Sequence, residues 1–114
     1  MTVDLFAGIP VSDLRRALAW YGQLLGAEPA FRPNNREAVW ELAEHRYVYI
    51  ELLPDRAGPS MHTLFVDDLD ERVEGIRGRG LAPDVHETYE NGVRKVTFHD
   101  PDGNEIGLGG GPAE

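Results

Sequence analysis

The stretch Val11-Ser12-Asp13-Leu14 is matched by Val66-Asp67-Asp68-Leu69 about half of the 114-residue chain later. Each stretch follows an extended apolar run and opens an amphipathic segment that ends at a glycine, Gly26 in the first case and Gly80 in the second. A similar set of strand-like segments follows both. Repetition at this period predicts one structural unit used twice within a single domain, so equivalent positions of the two copies can be compared.

The first half has the pattern of a strand, a helix and three further strands. Apolar side chains alternate over residues 3–11, which indicates a strand. From Asp13 the period becomes that of a helix, with Ser12 or Asp13 as the N-cap and Gly26 as the stop. Further strands are expected over residues 28–32, 37–43 and 46–53.

The second half repeats this order after a connector, residues 54–59, that contains two prolines and a glycine. A strand is expected over 61–66, and Leu69, Val73 and Ile76 mark a helix. Residues 85–89 and 93–99 flank Asn91-Gly92, a strong hairpin signal, and a turn at 100–103 leads to a strand over 105–108. Residues 109–114 are expected to be a frayed tail. The sequence thus predicts two βαβββ modules, at about 1–54 and 60–110.

Composition limits the classes of partner. The chain has 11 Lys and Arg against 20 Asp and Glu, a net charge of −9, and its basic residues are scattered. Nucleic acid and membrane partners are not expected, since phosphate-rich surfaces attract clustered positive charge. The absence of cysteine excludes disulfides, thiolate metal sites and a cysteine nucleophile. Residues 1–10 lack signal-peptide features and no stretch is long enough to span a membrane, so a cytoplasmic location is expected.

Four motifs, which together extend over nearly the whole chain, resemble those of the vicinal oxygen chelate superfamily, which includes glyoxalase I, extradiol dioxygenases and bleomycin-resistance proteins. They are Pro10-Val11-Ser12-Asp13-Leu14, Trp20-Tyr21 with Leu25-Gly26, Val66-Asp67-Asp68-Leu69, and Asp100-Pro101-Asp102-Gly103-Asn104. The resemblance implies an α+β fold in which two βαβββ modules form a curved, open eight-stranded mixed sheet. In that fold helices cover the convex side and ligands bind on the concave side. Some members exchange modules between chains, and a homodimer is expected here.

The resemblance also implies where a metal would be held, because catalytic members bind a divalent metal through His, Glu or Gln. One donor comes seven residues before each helix-start aspartate, which falls on Phe6 and on Met61. Another follows the turn at 100–104 and falls on Gly107. None of these side chains offers the nitrogen or oxygen that a transition metal requires, so neither a metal nor any other cofactor is expected.

The four histidines do not restore the metal site in this interpretation. His62 is next to Met61, but a shift of one residue turns a strand side chain to the opposite face. His45 and His86 lie beside loop or hairpin ends, where solvated side chains are expected. His99 has the parity of a concave-face residue, although a lone histidine is more often a cleft or turn residue than a ligand.

Alternation along the strands predicts an aromatic concave face with a few polar groups, the usual composition of a small-molecule site. Its candidate ligand-binding residues are Phe6, Trp40, Tyr47, Tyr49 and Glu51 from the first module, and Met61, Phe65, Lys95, His99 and Glu105 from the second, with Gly8, Thr63, Thr97 and Gly107 between them. The rings suit a planar ligand or a cation, and Glu51 suits a basic group. The same rings are also consistent with a filled half-barrel or a dimer interface.

Three hypotheses remain open from the sequence. The favoured one is a metal-free small-molecule binding protein of the bleomycin-resistance type, with an aromatic or cationic ligand in the cleft. The second is a glyoxalase-like lyase, isomerase or dioxygenase whose metal is held by non-standard ligands such as Glu51, His99 or Glu105. The two glutamates are also candidates for an acid–base pair. The third is a dimerising scaffold without a ligand, which fits the free edges of an open half-barrel.

Overall fold

A computed structural model describes residues 1–113, which contain two α-helices and seven strands. In chain order these are β1 (Leu5–Val11), α1 (Leu14–Leu25), β2 (Glu37–Ala43), β3 (Arg46–Leu52), β4 (Met61–Phe65), α2 (Leu69–Gly78), β5 (Val85–Thr88), β6 (Arg94–His99) and β7 (Glu105–Gly110). One 3-10 turn, Pro54–Arg56, lies in the connector. Neither described helix is long and apolar enough to cross a membrane.

The strands form two mixed sheets of related topology. The first sheet has the order β1-β3-β2, with β1 parallel to β3, and the second has the order β4-β7-β6-β5, with β4 parallel to β7. In each sheet the strand before the helix is an edge strand that pairs with the last strand of its half. The duplicated arrangement predicted from the two helix-start motifs is therefore confirmed, as is the α+β class.

The strand expected over residues 28–32 is absent, so the two sheets hold seven strands instead of eight. Only an isolated bridge between Phe31 and Val39 marks its place. Pro29 and Pro33 bracket this stretch, and a proline has no N–H to donate to a strand ladder. The first strand also starts later than expected, at Leu5.

Helix α1 begins and ends at the residues that the sequence indicates. The Asp13 side chain accepts a hydrogen bond from the Arg16 backbone N–H at 3.0 Å, which makes Asp13 the N-cap. Gly26 ends the helix at φ 72°, a left-handed conformation that glycine adopts without steric cost. In α2 the corresponding Asp68 makes no side-chain cap. The second helix is shorter and buries only Leu69 and Ile76.

The turn at 100–104 joins the two halves of the molecule. Asp100 accepts a hydrogen bond from the Tyr21 hydroxyl of α1 at 2.7 Å and another from the Asn104 amide at 2.9 Å. The Asn104 amide also donates to the Pro10 carbonyl of β1 at 2.8 Å, and its oxygen accepts from Ser60 before β4. Burial is the main reason why the pKa of Tyr21 lies far above its ordinary value, and the negative charge of Asp100 is the second reason. The turn thus holds the two halves together through hydrogen bonds.

The glycine-rich end of the chain is not frayed where the sequence suggested it would be. Gly109 and Gly110 are buried and complete β7, while residues 111–113 continue beyond it and Glu114 lies outside the described residues. A Cβ on Gly110 would come within 2.8 Å of Leu69 Cβ at the start of α2. The glycine therefore lets the helix pack closely on the strand, which composition alone does not reveal.

Each sheet has one face covered by helices and one face that is open. The covered face contributes a core that includes Ile9, Val11, Val48, Ile50, Val96, Phe98, Ile106 and Leu108. Side chains at the alternate strand positions lie on the other side of each sheet, and this side is called the open face. It carries large apolar groups that remain exposed, with Phe6 48% and both Met61 and Phe65 70% accessible.

Candidate functional site

The open face of the first sheet is an aromatic platform. The rings of Phe6 and Tyr47 lie parallel, with centroids 4.4 Å apart and planes 6° from each other. The Tyr49 ring lies across Gly8, where an added Cβ would be only 2.7 Å from the ring carbon Cζ. Glycine at this position therefore allows the tyrosine to lie over β1. Glu41 is opposite Tyr47 in the strand register, and a hydrogen bond to its carboxylate raises the pKa of Tyr47.

Two carboxylates lie beside the aromatic platform. Glu51 is half-buried and is directly opposite Glu37 on the neighbouring strand. Within residues 1–113 Glu51 forms no ion pair, whereas Glu37 accepts a hydrogen bond from the Asn34 amide at 2.8 Å. Like charges at opposing strand positions are destabilising, and a cation placed between them would relieve the repulsion. Glu51 is therefore suited to pair with a basic group of a ligand, as the sequence analysis proposed.

Trp40 does not belong to this face, and that expectation is wrong. Its register partner is Val48, whose side chain is in the helix-covered core, and Trp40 is only 3% exposed. The indole N–H donates to the Ala27 carbonyl at 3.0 Å, and the ring packs at 6.1 Å from that of Tyr21. Residues 38–40 are all buried, so β2 offers no alternation from which its face can be deduced. The pairing of β2 with β3 determines which face each residue occupies. It places Glu41 on the open face, where the sequence analysis did not expect it.

The open face of the second sheet is more polar. The strand register places its residues in three rows across the sheet: Met61 with Glu105 and His99, Thr63 with Gly107 and Thr97, and Phe65 with Gly109 and Lys95. All five residues proposed from this half therefore share one face. The Phe65 ring lies over Gly109, with its Cδ2 atom 3.2 Å from where a Cβ would be.

His99 is held between two carboxylates. Its Nδ1 is 2.9 Å from Asp84 Oδ2, and its Nε2 is 3.6 Å from Glu105 Oε1. The hydrogen bond to Asp84 is the main reason why the pKa of His99 is raised, and Glu105 adds to it. Asp84 precedes β5, where its backbone N–H donates to the Thr97 carbonyl. Sequence reasoning missed this partner, because the loop that brings Asp84 to His99 has no recognisable motif.

A transition-metal centre does not fit these residues. Phe6 is stacked on Tyr47, Met61 has a thioether, and Gly107 has no side chain at all. Both ring nitrogens of His99 lie near carboxylates, Nδ1 near Asp84 and Nε2 near Glu105. Residues 1–113 contain no cluster of three His, Asp or Glu arranged to hold a metal.

The other histidines do not supply the missing donors. His62 pairs in register with Ile106 on the covered face, as the parity argument predicted. Its buried Nδ1 has no hydrogen-bond partner among the described residues, and burial lowers the pKa of His62. His45 contacts Asp4 at 2.6 Å in the β2–β3 turn, and His86 is exposed on β5.

A hollow of about 1080 Å³ lies between the two sheets. Its wall takes Glu41, Thr63 and Phe65 from the open faces, but most of it comes from the helices and from covered-face residues such as Trp40 and Leu64. A second hollow, of about 440 Å³, lies beside Gly8 and Pro10 and is bounded by Arg56 and Ser60. The aromatic platform therefore borders the smaller hollow through Gly8, and Glu41 beside it borders the larger one.

Comparison with known proteins identifies the family. Residues 3–108 match the model of the Glyoxalase/Bleomycin resistance protein/Dioxygenase superfamily, and the chain belongs to that superfamily. A search of the curated proteins finds no match.

Among solved structures, a glyoxalase/bleomycin resistance protein from Catenulispora acidiphila DSM 44928 is 53% identical. The match covers 97% of this chain and 100% of that one, with a TM-score of 0.94. A lactoylglutathione lyase from Agrobacterium tumefaciens is 18% identical over 97% of this chain and 95% of its own, with a TM-score of 0.78. A bleomycin-binding protein complexed with bleomycin is 21% identical over 99% and 100%, with a TM-score of 0.77. At these low identities the last two demonstrate a shared fold alone.

Proposed function

We propose that this protein is a metal-free small-molecule binding protein of the bleomycin-resistance type, which holds an aromatic or cationic ligand on its open face. The observation that carries the proposal is the platform of the first sheet. Phe6 stacks on Tyr47 where a catalytic relative would need a metal donor, and Tyr49 lies over Gly8 beside it. A surface of this kind binds planar rings and cations through stacking and through the attraction of positive charge to ring faces.

The carboxylates beside the platform support the cationic part of the proposal. Glu51 and Glu37 face each other across β3 and β2, and Glu51 forms no ion pair within residues 1–113. A ligand with a basic group would place its charge there while its ring covers Tyr47 or Tyr49. Glu51→Ala is expected to weaken the binding of a charged probe and to leave a neutral one unaffected.

The ligand site is proposed to form within a homodimer. Strands β1 and β4 are sheet edges whose outer backbone groups have no strand partner in the described chain. Both edges carry exposed apolar side chains, among them Leu5, Phe6, Met61 and Phe65. Proteins usually pair or cover such edges, and a second copy would do both. Light scattering should give twice the 12.7 kDa of one chain, and a monomeric mass would contradict this part.

Thermal melts test the binding proposal. The probes are berberine, a planar aromatic cation, and 2-naphthol, a neutral planar ring. Binding to the native state at a hundredfold excess over Kd stabilises it by about 2.7 kcal/mol, a shift of several degrees for a small domain. Tyr47→Ala should abolish the shift, whereas Tyr89→Ala, an exposed tyrosine on the β5–β6 connection, should leave it intact. Equal loss in both variants, or no shift with either probe, would contradict the proposal.

A metal-dependent lyase, isomerase or dioxygenase is the second candidate. The observation in its favour is the His99–Glu105 pair, which places one imidazole and one carboxylate together on the open face. Chelator-treated protein melted with Ni, Mn, Fe(II), Zn or Co separates the two candidates. No metal is expected to raise the melting temperature. A rise with one metal that His99→Ala abolishes would make the enzyme the better proposal.

A further inference from the structure

Lys95 is the only lysine in the chain, and it lies on the open face of the second sheet. Its strand neighbours on that face are Glu87 in β5 and Gly109 in β7. The side chain is half-buried, although the protein has ample acidic surface with which an exposed lysine could pair.

The side chain of Lys95 extends away from the carboxylate nearest to it in register. Glu87 is directly opposite on β5, but no ion pair joins the two, and within residues 1–113 Lys95 has no carboxylate partner. Instead the lysine side chain lies over β7 at Gly107. A Cβ on Gly107 would be 2.6 Å from Lys95 Cε and 3.6 Å from its Nζ. The ammonium group therefore points towards the middle of the open face.

Thr63 approaches the same point from the other side. Its Oγ1 lies 3.1 Å from the position of the missing Gly107 Cβ, and Thr63 is exposed. No side-chain hydrogen bond in the described structure uses its hydroxyl. The ammonium and the hydroxyl both lie within 3.6 Å of the same point above Gly107, and they provide N–H and O–H donors that engage no side-chain acceptor within residues 1–113. Donors of this kind recognise an oxyanion, and hydrogen bonds to a charged group are the stronger class.

We propose that Lys95 Nζ and Thr63 Oγ1 form an oxyanion-binding subsite above Gly107. The subsite takes the carboxylate or phosphate group of a ligand whose ring is held by the aromatic platform. This proposal rests on the proposed function and adds one feature to its ligand, an acidic group that the subsite recognises. Gly107 is the enabling residue, since any side chain there would occupy the position of the lysine.

The single lysine allows a direct test of the subsite that does not depend on the platform. Protein labelled with 13C-lysine gives one Cε signal, which is followed by NMR during titration with acetate and with inorganic phosphate. Sodium chloride at matched ionic strength is the control. A saturable shift is expected with at least one oxyanion, and it should weaken in Thr63→Val. Absence of a saturable shift with both oxyanions, or the same shift with chloride, would overturn the proposal; the relative response identifies the preferred oxyanion.

Calorimetry then tests whether the subsite serves the proposed ligand. Wild-type protein should bind 2-naphthoate about tenfold more tightly than 2-naphthol, and Lys95→Met should remove this preference. Lys95→Arg should retain most of it, since the charge is kept. Equal affinity of the wild type for the two compounds would contradict the acidic-ligand assignment while leaving the platform intact. If neither naphthyl compound binds but acetate still moves the lysine signal, the proposed function fails and the subsite stands.

Discussion

Phe6 in the first sheet and Met61 in the second are equivalent positions, each seven residues before the aspartate that starts its helix, yet their surroundings differ. Phe6 lies in a stack of rings, beside a tyrosine that covers a glycine. Met61 is 70% exposed and is in the same row as Glu105 and His99. One duplicated backbone thus presents an aromatic surface in one half and a polar one in the other.

Glycines allow this difference in both halves. Gly8 lets the Tyr49 ring lie over β1, and Gly107 lets the Lys95 chain lie over β7. In each case a neighbouring strand supplies the side chain that fills the space. The chemistry of either open face is therefore set by the residue that reaches over the glycine, and the two halves can be tested against each other.

The largest expected difference concerns these glycines. Gly8→Ala places a methyl group 2.7 Å from the Tyr49 ring and should lower the free energy of unfolding by about 1–2 kcal/mol, as for other overpacking changes. Gly107→Ala meets a flexible lysine chain that can move aside, so its effect should stay within about 0.5 kcal/mol. Urea denaturation measures both. A larger cost at Gly107 would show that the second face is the more rigid one.

A smaller difference is expected at the equivalent pair itself. Phe6→Ala removes a stacked ring and should cost about 0.5–1.5 kcal/mol of stability, the range for aromatic pairs. Met61→Ala removes a mostly exposed side chain and should change stability by less than about 0.5 kcal/mol. The same denaturation experiment compares them. Equal effects would mean that the ring stack contributes nothing of its own.

The smallest expected effect is a pH dependence of stability that arises from the open face of the second sheet. The raised pKa of His99 means that its protonated form is favoured in the folded state. Its contribution to stability is therefore complete below its ordinary pKa of about 6.5 and is lost as pH rises through the folded-state pKa. Asp84→Asn should flatten this dependence, whereas His86→Gln, at an exposed residue of β5, should preserve it. An unchanged pH profile in Asp84→Asn would contradict the assignment.

Much of the fold follows from local signals that the structure retains. Asp13 and Gly26 bound α1 because one supplies a cap acceptor and the other a left-handed backbone. The turn at 100–104 forms as expected, and Gly103 adopts φ 94° there. What the sequence could not reveal is that this turn ties α1, β1 and β4 together, because that depends on contacts between distant residues.

The errors also have physical causes. Trp40 was assigned to the wrong face because three consecutive residues of β2 are buried, so the pattern carries no period of two. Gly109 and Gly110 resemble a loose tail in composition, yet they complete a buried strand, because Phe65 lies over Gly109 and Leu69 of α2 packs against Gly110. The face of the second-sheet residues was predicted correctly because apolar residues alternate with polar residues on β6 and with polar residues or glycine along most of β7. Whether the assigned residues bind a ligand stays a prediction.

The aromatic platform is expected to bind a planar ligand without a metal. The most direct test is calorimetric titration of chelator-treated protein with berberine and with 2-naphthol in EDTA, for the wild type and for Tyr47→Ala. We expect at least one probe to bind measurably in EDTA and to bind at least tenfold more weakly to the variant. Binding that appears only after Ni, Zn or another metal is restored, or that Tyr47→Ala does not affect, would contradict it.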